Sequence, residues 1–196
     1  AYALSLYMAG GTGVYIPGLG EVDFGLWFIP FCMLVVVSAT NAVNLTDGID
    51  GLCGIVSFVV TLFFLIVAGA TGYFGQSLLA AALGGALVGF LVWNLHPAKV
   101  FMGDTGSMAL GGAMSAMVIY SRSPFLFLLM GVCIVASAVS VVLQVGSFKL
   151  RHGKRIFKMA PLHHHFELLG YPETKVVSGY MIVTALACVA ALALFL

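Results

Sequence analysis

Leu52-Cys53-Gly54-Ile55-Val56-Ser57-Phe58-Val59-Val60-Thr61-Leu62-Phe63-Phe64-Leu65-Ile66-Val67-Ala68-Gly69-Ala70 decides the fold of this chain. It carries no charge, and it has about the length of helix, ~20 apolar residues, that crosses the hydrocarbon core of a bilayer. Similar runs lie on both sides. Residues 26–44, 76–95, 106–120, 124–148 and 176–196 read as further spans, the one at 106–120 being short. Residues 1–8 read as the end of another membrane helix. The composition agrees: 62% of residues are hydrophobic, 8% are charged and the mean hydropathy is +1.13. Soluble domains are roughly one-quarter charged, and disordered segments are poor in apolar residues. Segments of ~10 alternating residues, the mark of a membrane β-barrel, are absent. The reading is an all-α, polytopic helical integral membrane protein of about six spans, one transmembrane domain over residues 1–196. Four cysteines lie singly inside apolar runs and read as small buried residues.

Between the first two apolar stretches, residues 9–25 hold two strand-like pieces on either side of Pro17-Gly18, which predicts a small β-hairpin. Trp27 marks a membrane interface. Counting spans gives each loop a side. The loops at 45–51, 97–105 and 149–175 share one face, and they carry seven of the eight lysines and arginines, all but Arg122. Cytoplasmic loops are enriched in these residues, so that face is expected to be cytoplasmic and the hairpin periplasmic.

Three motifs fall on the basic face. In Asn41-Ala42-Val43-Asn44-Leu45-Thr46-Asp47-Gly48-Ile49-Asp50-Gly51, the residues Asn41, Asn44, Asp47 and Asp50 recur every third position. Such spacing puts neighbours on one helix face, so a polar stripe is expected to run out of the membrane. The same residue types also make ordinary caps and turns. In Pro97-Ala98-Lys99-Val100-Phe101-Met102-Gly103-Asp104-Thr105-Gly106-Ser107, Asp104 stands between glycines. Mg²⁺ takes one or two carboxylates and completes its shell with phosphate and water, and helix-start amides receive phosphate oxygens. Asp104 can equally cap the next helix. Lys99 faces phosphate or reaches to the interface. The loop at 149–175 begins with five cations between Lys149 and Lys158 and no acid, a lipid-headgroup anchor. It continues into Pro161-Leu162-His163-His164-His165-Phe166-Glu167. Three adjacent histidines point in different directions, which suits proton transfer or phosphate binding better than ligation of one metal. Gln144 is polar where apolar residues dominate, and it either lines the site or pairs between helices.

Together and in this order the three motifs resemble the bacterial phospho-N-acetylmuramoyl-pentapeptide transferase family, of the polyprenyl-phosphate N-acetylhexosamine-1-phosphate transferase superfamily. The first two motifs mark the superfamily, and the unbroken histidine triad marks the muramoyl-pentapeptide branch. The resemblance implies transfer of phospho-N-acetylmuramoyl-pentapeptide from UDP-N-acetylmuramoyl-pentapeptide to undecaprenyl phosphate, with UMP released and Mg²⁺ required. It further implies a multi-pass protein of the bacterial inner membrane, surrounded by membrane lipid, with its site on the cytoplasmic face, a homodimeric state and no nucleic-acid partner. By motif, Asp104 would be the Mg²⁺ ligand and, with Asp47 and His163, catalytic. Asn41, Asn44, Leu45, Asp50, Asn94, Phe101, Gly103, Gln144 and His164 would bind substrate. The family carries an Asp-Asp pair upstream, and none occurs in this chain. The expectation is therefore that this is the C-terminal portion of a larger enzyme, with little turnover by itself. Two competing readings are a UDP-GlcNAc:polyprenyl-phosphate GlcNAc-1-phosphate transferase and an ion or solute transporter. The histidine triad argues against the first. The second expects acids at mid-span and an internal repeat, and neither is found.

Overall fold

In lipid a backbone must satisfy its own polar groups, so the charge-free runs close into helices. The computed structural model describes residues 11–195 together with Leu4, Tyr7 and Met8. The helix end expected over residues 1–8 falls for the most part outside that description. The ordered elements are α1 (Phe28–Thr46), α2 (Leu52–Thr71), α3 (Phe74–Asn94), α4 (Gly103–Tyr120), α5 (Pro124–Met130), α6 (Val132–Leu150), α7 (Leu162–Glu167) and α8 (Glu173–Phe195). Ahead of them β1 (Gly13–Ile16) pairs antiparallel with β2 (Gly20–Asp23), Gly13 opposite Asp23 and Ile16 opposite Gly20. This is the expected hairpin around Pro17-Gly18.

Among the described residues five helices are long and apolar enough to cross a membrane: Gly25–Thr46, α2, α3, α6 and Glu173–Leu194 within α8. Two departures from the expected six spans have plain causes. α4 is diluted by glycine, serine and threonine, so it falls short in apolarity, yet it still runs from face to face. Asp104 at its start meets Asn44, and Tyr120 at its end meets the ring of Tyr73 at 5.6 Å. The stretch expected at 124–148 is divided at Gly131, which leaves helical geometry and separates short α5 from α6.

α2 is the central helix: 61% of its apolar window is buried inside the protein, against 22–33% for the other four. Leu52, Val56 and Val60 on it are fully enclosed, with α3 and α8 packed around them. The outer helices present Met33, Leu34, Leu78, Val92, Val142 and Leu186 outward, as lipid-facing surfaces do. Lipid tails are as apolar as leucine, so close packing rather than water expulsion holds such helices together. The α1–α4 seam shows it. A Cβ on Gly111 would stand 2.6 Å from the Thr40 Cα and 3.0 Å from the Ala39 carbonyl oxygen, so only glycine permits this backbone approach.

The hairpin closes one end of the bundle. Tyr15 donates its amide to the Arg122 carbonyl (2.7 Å), and Arg122 lies 3.6 Å from Glu21. Asp23 accepts from the Thr12 hydroxyl and from the Gly25 amide (2.9 Å). Beneath them Val14, Phe28, Cys32 and Ile119 form a small apolar cluster. The turn after α1, the 95–102 loop and the segment holding α7 gather at the opposite end.

Candidate functional site

α1 ends at Thr46, and Asp47 takes the position after the last helical residue. The Asn44 amide therefore projects from the final turn. It donates to Asp104 Oδ1 (3.0 Å) and to Ser107 Oγ (2.9 Å), residues 60 and 63 positions away. Ser107 is fully buried and its hydroxyl donates to the Gly103 carbonyl (3.0 Å), which fixes the first turn of α4. Asn44 is thereby a bridge between two helix ends.

Asp47 stands beside this pair. Burial lifts its carboxyl above the usual carboxylate range; the Gly103 amide opposes the lift and the negative charge of Asp104 adds to it. A carboxylate lifted by a neighbouring negative charge is relieved by a cation beside it. The local donors are oxygens, from Asp47, Asp104 and the Ser107 hydroxyl, and this is the donor chemistry that Mg²⁺ prefers. The site thus fits the expected metal with Asp104 as a ligand and Asp47 as its neighbour.

One residue further on, Gly48 packs against α7. A Cβ there would meet His163 Nε2 at 2.2 Å and His164 Nε2 at 3.0 Å. The turn after α1 thus touches the Asp104 loop through Asn44 and the histidine segment through Gly48. The three histidines do diverge. His163 is fully buried, and neither ring nitrogen has a hydrogen-bond partner among the described residues. Burial, then the neighbouring His164, push it down to about 4, so it is neutral at physiological pH. His164 Nδ1 lies 2.5 Å from Glu167 Oε2. His165 Nδ1 accepts the Lys158 amide (3.1 Å).

The expected polar stripe divides because the helix stops. Asn41, still on α1, donates to its own Val37 carbonyl (2.8 Å) and takes no part in the cross-helix bonds. Leu45 is half-buried. Asp50, beyond the helix, turns elsewhere: its Oδ2 accepts the Ala98 amide (2.9 Å) and lies 3.1 Å from His96 Nδ1, which is 3.5 Å from Glu173 Oε2. Asp50, His96 and Glu173 tie the α1–α2 turn, the 95–102 loop and the start of α8 together. Their ligand atoms all lie within 4.8 Å of one another. The imidazole makes this second set less suited to Mg²⁺ than the oxygens around Asp104.

Two residues expected to bind substrate hold loops. Buried Asn94 donates to the Val100 carbonyl (2.9 Å). Gln144 donates to the Phe157 carbonyl (2.9 Å) and accepts the amides of Ile156 (3.0 Å) and Phe157 (2.9 Å). Phe101 is 73% exposed at the lip of the site, and Gly103 opens α4 with a positive φ of 65°. Lys99 Nζ lies over the Trp93 ring at 5.6 Å. Gly48, Ser107, Glu167 and Glu173 are participants that motif reading did not single out. Ser107 and Glu167 stand at the ends of the Pro97–Ser107 and Pro161–Glu167 motifs, and Gly48 lies inside the Asn41–Gly51 one, where a glycine reads as turn chemistry. Glu173 has no local signal.

The model of glycosyl transferase family 4 matches residues 1–122, well over half the chain and including both the Asn44–Asp50 segment and the Asp104 loop. The chain belongs to this family. Beyond the matched residues the similarity continues in individual relatives. A protein of Clostridium perfringens (strain 13 / Type A) named phospho-N-acetylmuramoyl-pentapeptide-transferase is 50% identical over 184 residues, covering 93% of this chain and 58% of that protein. Proteins of the same name from Clostridium novyi (strain NT) and Clostridium kluyveri (strain NBRC 12016) are 48% and 50% identical over 179 residues. Each match covers 91% of this family 4 chain, and 55% and 56% of those proteins respectively. The chain thus spans little more than half the length of the curated relatives it matches.

Proposed function

We propose that this family 4 chain carries the acid-and-histidine face of a phosphoglycosyl transferase. The enzyme moves phospho-N-acetylmuramoyl-pentapeptide from its UDP carrier to undecaprenyl phosphate and releases UMP. The observation that carries the reading is the meeting at one end of the bundle of Asn44 with Asp104, and of the adjoining Gly48 with His163 and His164. The names of the relatives favour this donor, and so does the Pro161–Glu167 run. The basic segment between Lys149 and Lys158 on the same end suits anionic lipid and supports a cytoplasmic-leaflet position in the bacterial inner membrane.

The reaction brings two anions together. Mg²⁺, held by Asp104 with Asp47 beside it, would screen the diphosphate when bound. The rest is done by side chains. Asn44 keeps the Asp104 carboxylate turned to the turn after α1. Neutral His163, whose ring nitrogens have no hydrogen-bond partner among the described residues, offers a proton acceptor or a neutral donor rather than a positive charge. Exposed Phe101 at the lip presents a ring face to a flat base. The apolar groove of about 320 Å³ between α1 and α5–α6, lined by Phe31, Val35, Ala39, Phe127 and Val135, suits a polyprenyl tail.

Purified full-length protein, given UDP-N-acetylmuramoyl-pentapeptide or UDP-GlcNAc with undecaprenyl phosphate, tests the reading. UMP should appear only with the muramoyl donor, the acceptor lipid and Mg²⁺, and Asp104→Ala should abolish lipid product. Release from UDP-GlcNAc alone would assign the sister transferase. Solute uptake without UMP release would assign transport.

A further inference from the structure

Helix α7 is a short piece anchored at three points. Phe166 packs against the apolar core, His163 is buried beneath the Gly48 turn, and the ring of His165 accepts the Lys158 amide and meets Phe157 edge-on at 5.7 Å. These contacts fix the helix and leave His164 as the histidine of the run that reaches the Gly48 turn without being enclosed. Its Nε2 lies 3.0 Å from where a Gly48 Cβ would stand, and its ring is 4.4 Å from that of His163. Its other nitrogen, Nδ1, lies 2.5 Å from Glu167 Oε2. Ion pairs three residues apart on an exposed helix are common and weak, because two long side chains must be held in one geometry. This one differs. The side chains are only 26% and 27% exposed, and the helix that carries both is held on either side of them.

A carboxylate accepts and does not donate, so the proton between the two must sit on Nδ1. The remaining nitrogen, Nε2, is then directed to the turn that leads back to Asp47. Fixing a histidine by a carboxylate on its far nitrogen is a general way of setting tautomer and ring orientation together. We propose that Glu167 is a positioning residue for the transfer reaction: it holds His164 with its proton on Nδ1 and turns Nε2 to the Gly48 turn. The role in the reaction rests on the transferase reading above; the tautomer does not.

The test uses intact full-length protein and two independent readouts. Nitrogen-15 histidine spectra should show His164 protonated on Nδ1 and lose that signature in Glu167→Ala. In turnover, Glu167→Ala should lower kcat by roughly 10- to 100-fold, the usual effect of removing such an outer partner, with KM for the nucleotide sugar within about twofold. The double variant Glu167→Ala, His164→Ala should be no slower than His164→Ala alone, since both act through one imidazole. Glu167→Gln, which retains an acceptor oxygen and the side-chain shape, should recover part of the loss and serves where the alanine variant fails to fold. An unchanged His164 signal in Glu167→Ala, losses that multiply in the double variant, or a Glu167→Gln variant that has lost the Nδ1 signature yet turns over as fast as the wild type, would overturn the proposal. Absence of transferase turnover in the wild type would instead sink the proposed function, and the spectra would still decide the tautomer.

Discussion

The two ends of the bundle both carry acids, but they use them differently. At the hairpin end each acid has its complement: Asp23 takes the Thr12 hydroxyl and the Gly25 amide, and Glu21 faces Arg122. At the other end the charge of Asp104 acts on Asp47, Asn44 bonds Asp104 across the helices, and no lysine or arginine is paired to either acid among the described residues. Within the spans polar side chains are spent locally: Thr46, Ser137 and Ser178 each donate one helical turn back. Side-chain bonds spanning sixty residues appear where Asn44 crosses to α4. Asp50 and Glu167 at that end have histidine partners, so the contrast rests on Asp47 and Asp104, which the proposed function uses.

The sharpest way to break this comparison is Asp104→Asn, which preserves shape and removes charge. Turnover of the full-length protein should fall by roughly a thousandfold, the scale of losing a preorganised charge at a reacting centre. The thermal midpoint should stay close to that of the wild type. A collapse of stability instead would make Asp104 a structural acid like Asp23.

Protonation of His163 gives the next effect. Its value in the fold is about 4, against 6.5 for the free side chain. Between those values the unfolded chain binds a proton that the folded chain refuses. Stability is therefore complete above pH 6.5 and declines as pH falls towards 4, by about 3 kcal/mol in total. Melting midpoints measured across that window should show the slope, and His163→Asn should flatten it.

Gly48→Ala would force a methyl group into the space that His163 Nε2 occupies. Overpacking of this kind costs about 1–3 kcal/mol. The expected result is a lower melting midpoint together with a fall in kcat, because the histidine segment must draw away from the acids. A change in stability with unaltered kcat would separate α7 from the chemistry.

The smallest effect belongs to the hairpin end. Arg122→Gln should leave kcat within about twofold, since the 3.6 Å pair with Glu21 is exposed and such pairs contribute little. A large loss of turnover would join the two ends of the bundle functionally and undo the contrast.

Much of this was legible in the sequence for a physical reason. Charge-free runs of span length leave a chain few options, so the helices and the Pro17-Gly18 hairpin could be read directly. The convergence of Asn44, Asp104 and the histidine run followed from counting which loops share a face. What was not legible was which polar group meets which. The i, i+3 stripe from Asn41 to Asp50 assumed a helix that in fact stops at Thr46, and Asp50 consequently finds His96 and the Ala98 amide. Asn94 and Gln144 looked like pocket residues because polar groups near a span end are conspicuous, yet loops that close against a helix also need such groups. Glu167 and Glu173 acquire meaning only from tertiary neighbours, which no local pattern encodes.

The glycine seam between α1 and α4 bears on the width of this site. Thr40 and Gly111 touch one helical turn below the level at which Asn44 reaches Ser107, so the two contacts form rungs of one ladder. The lower rung has no side chain to adjust and acts as a fixed caliper, setting the gap at a distance that a single asparagine can bridge. Any residue bulkier than glycine at 111 would splay the helices, and the acids at their tips would part by an amount that no exchange of rotamers could recover.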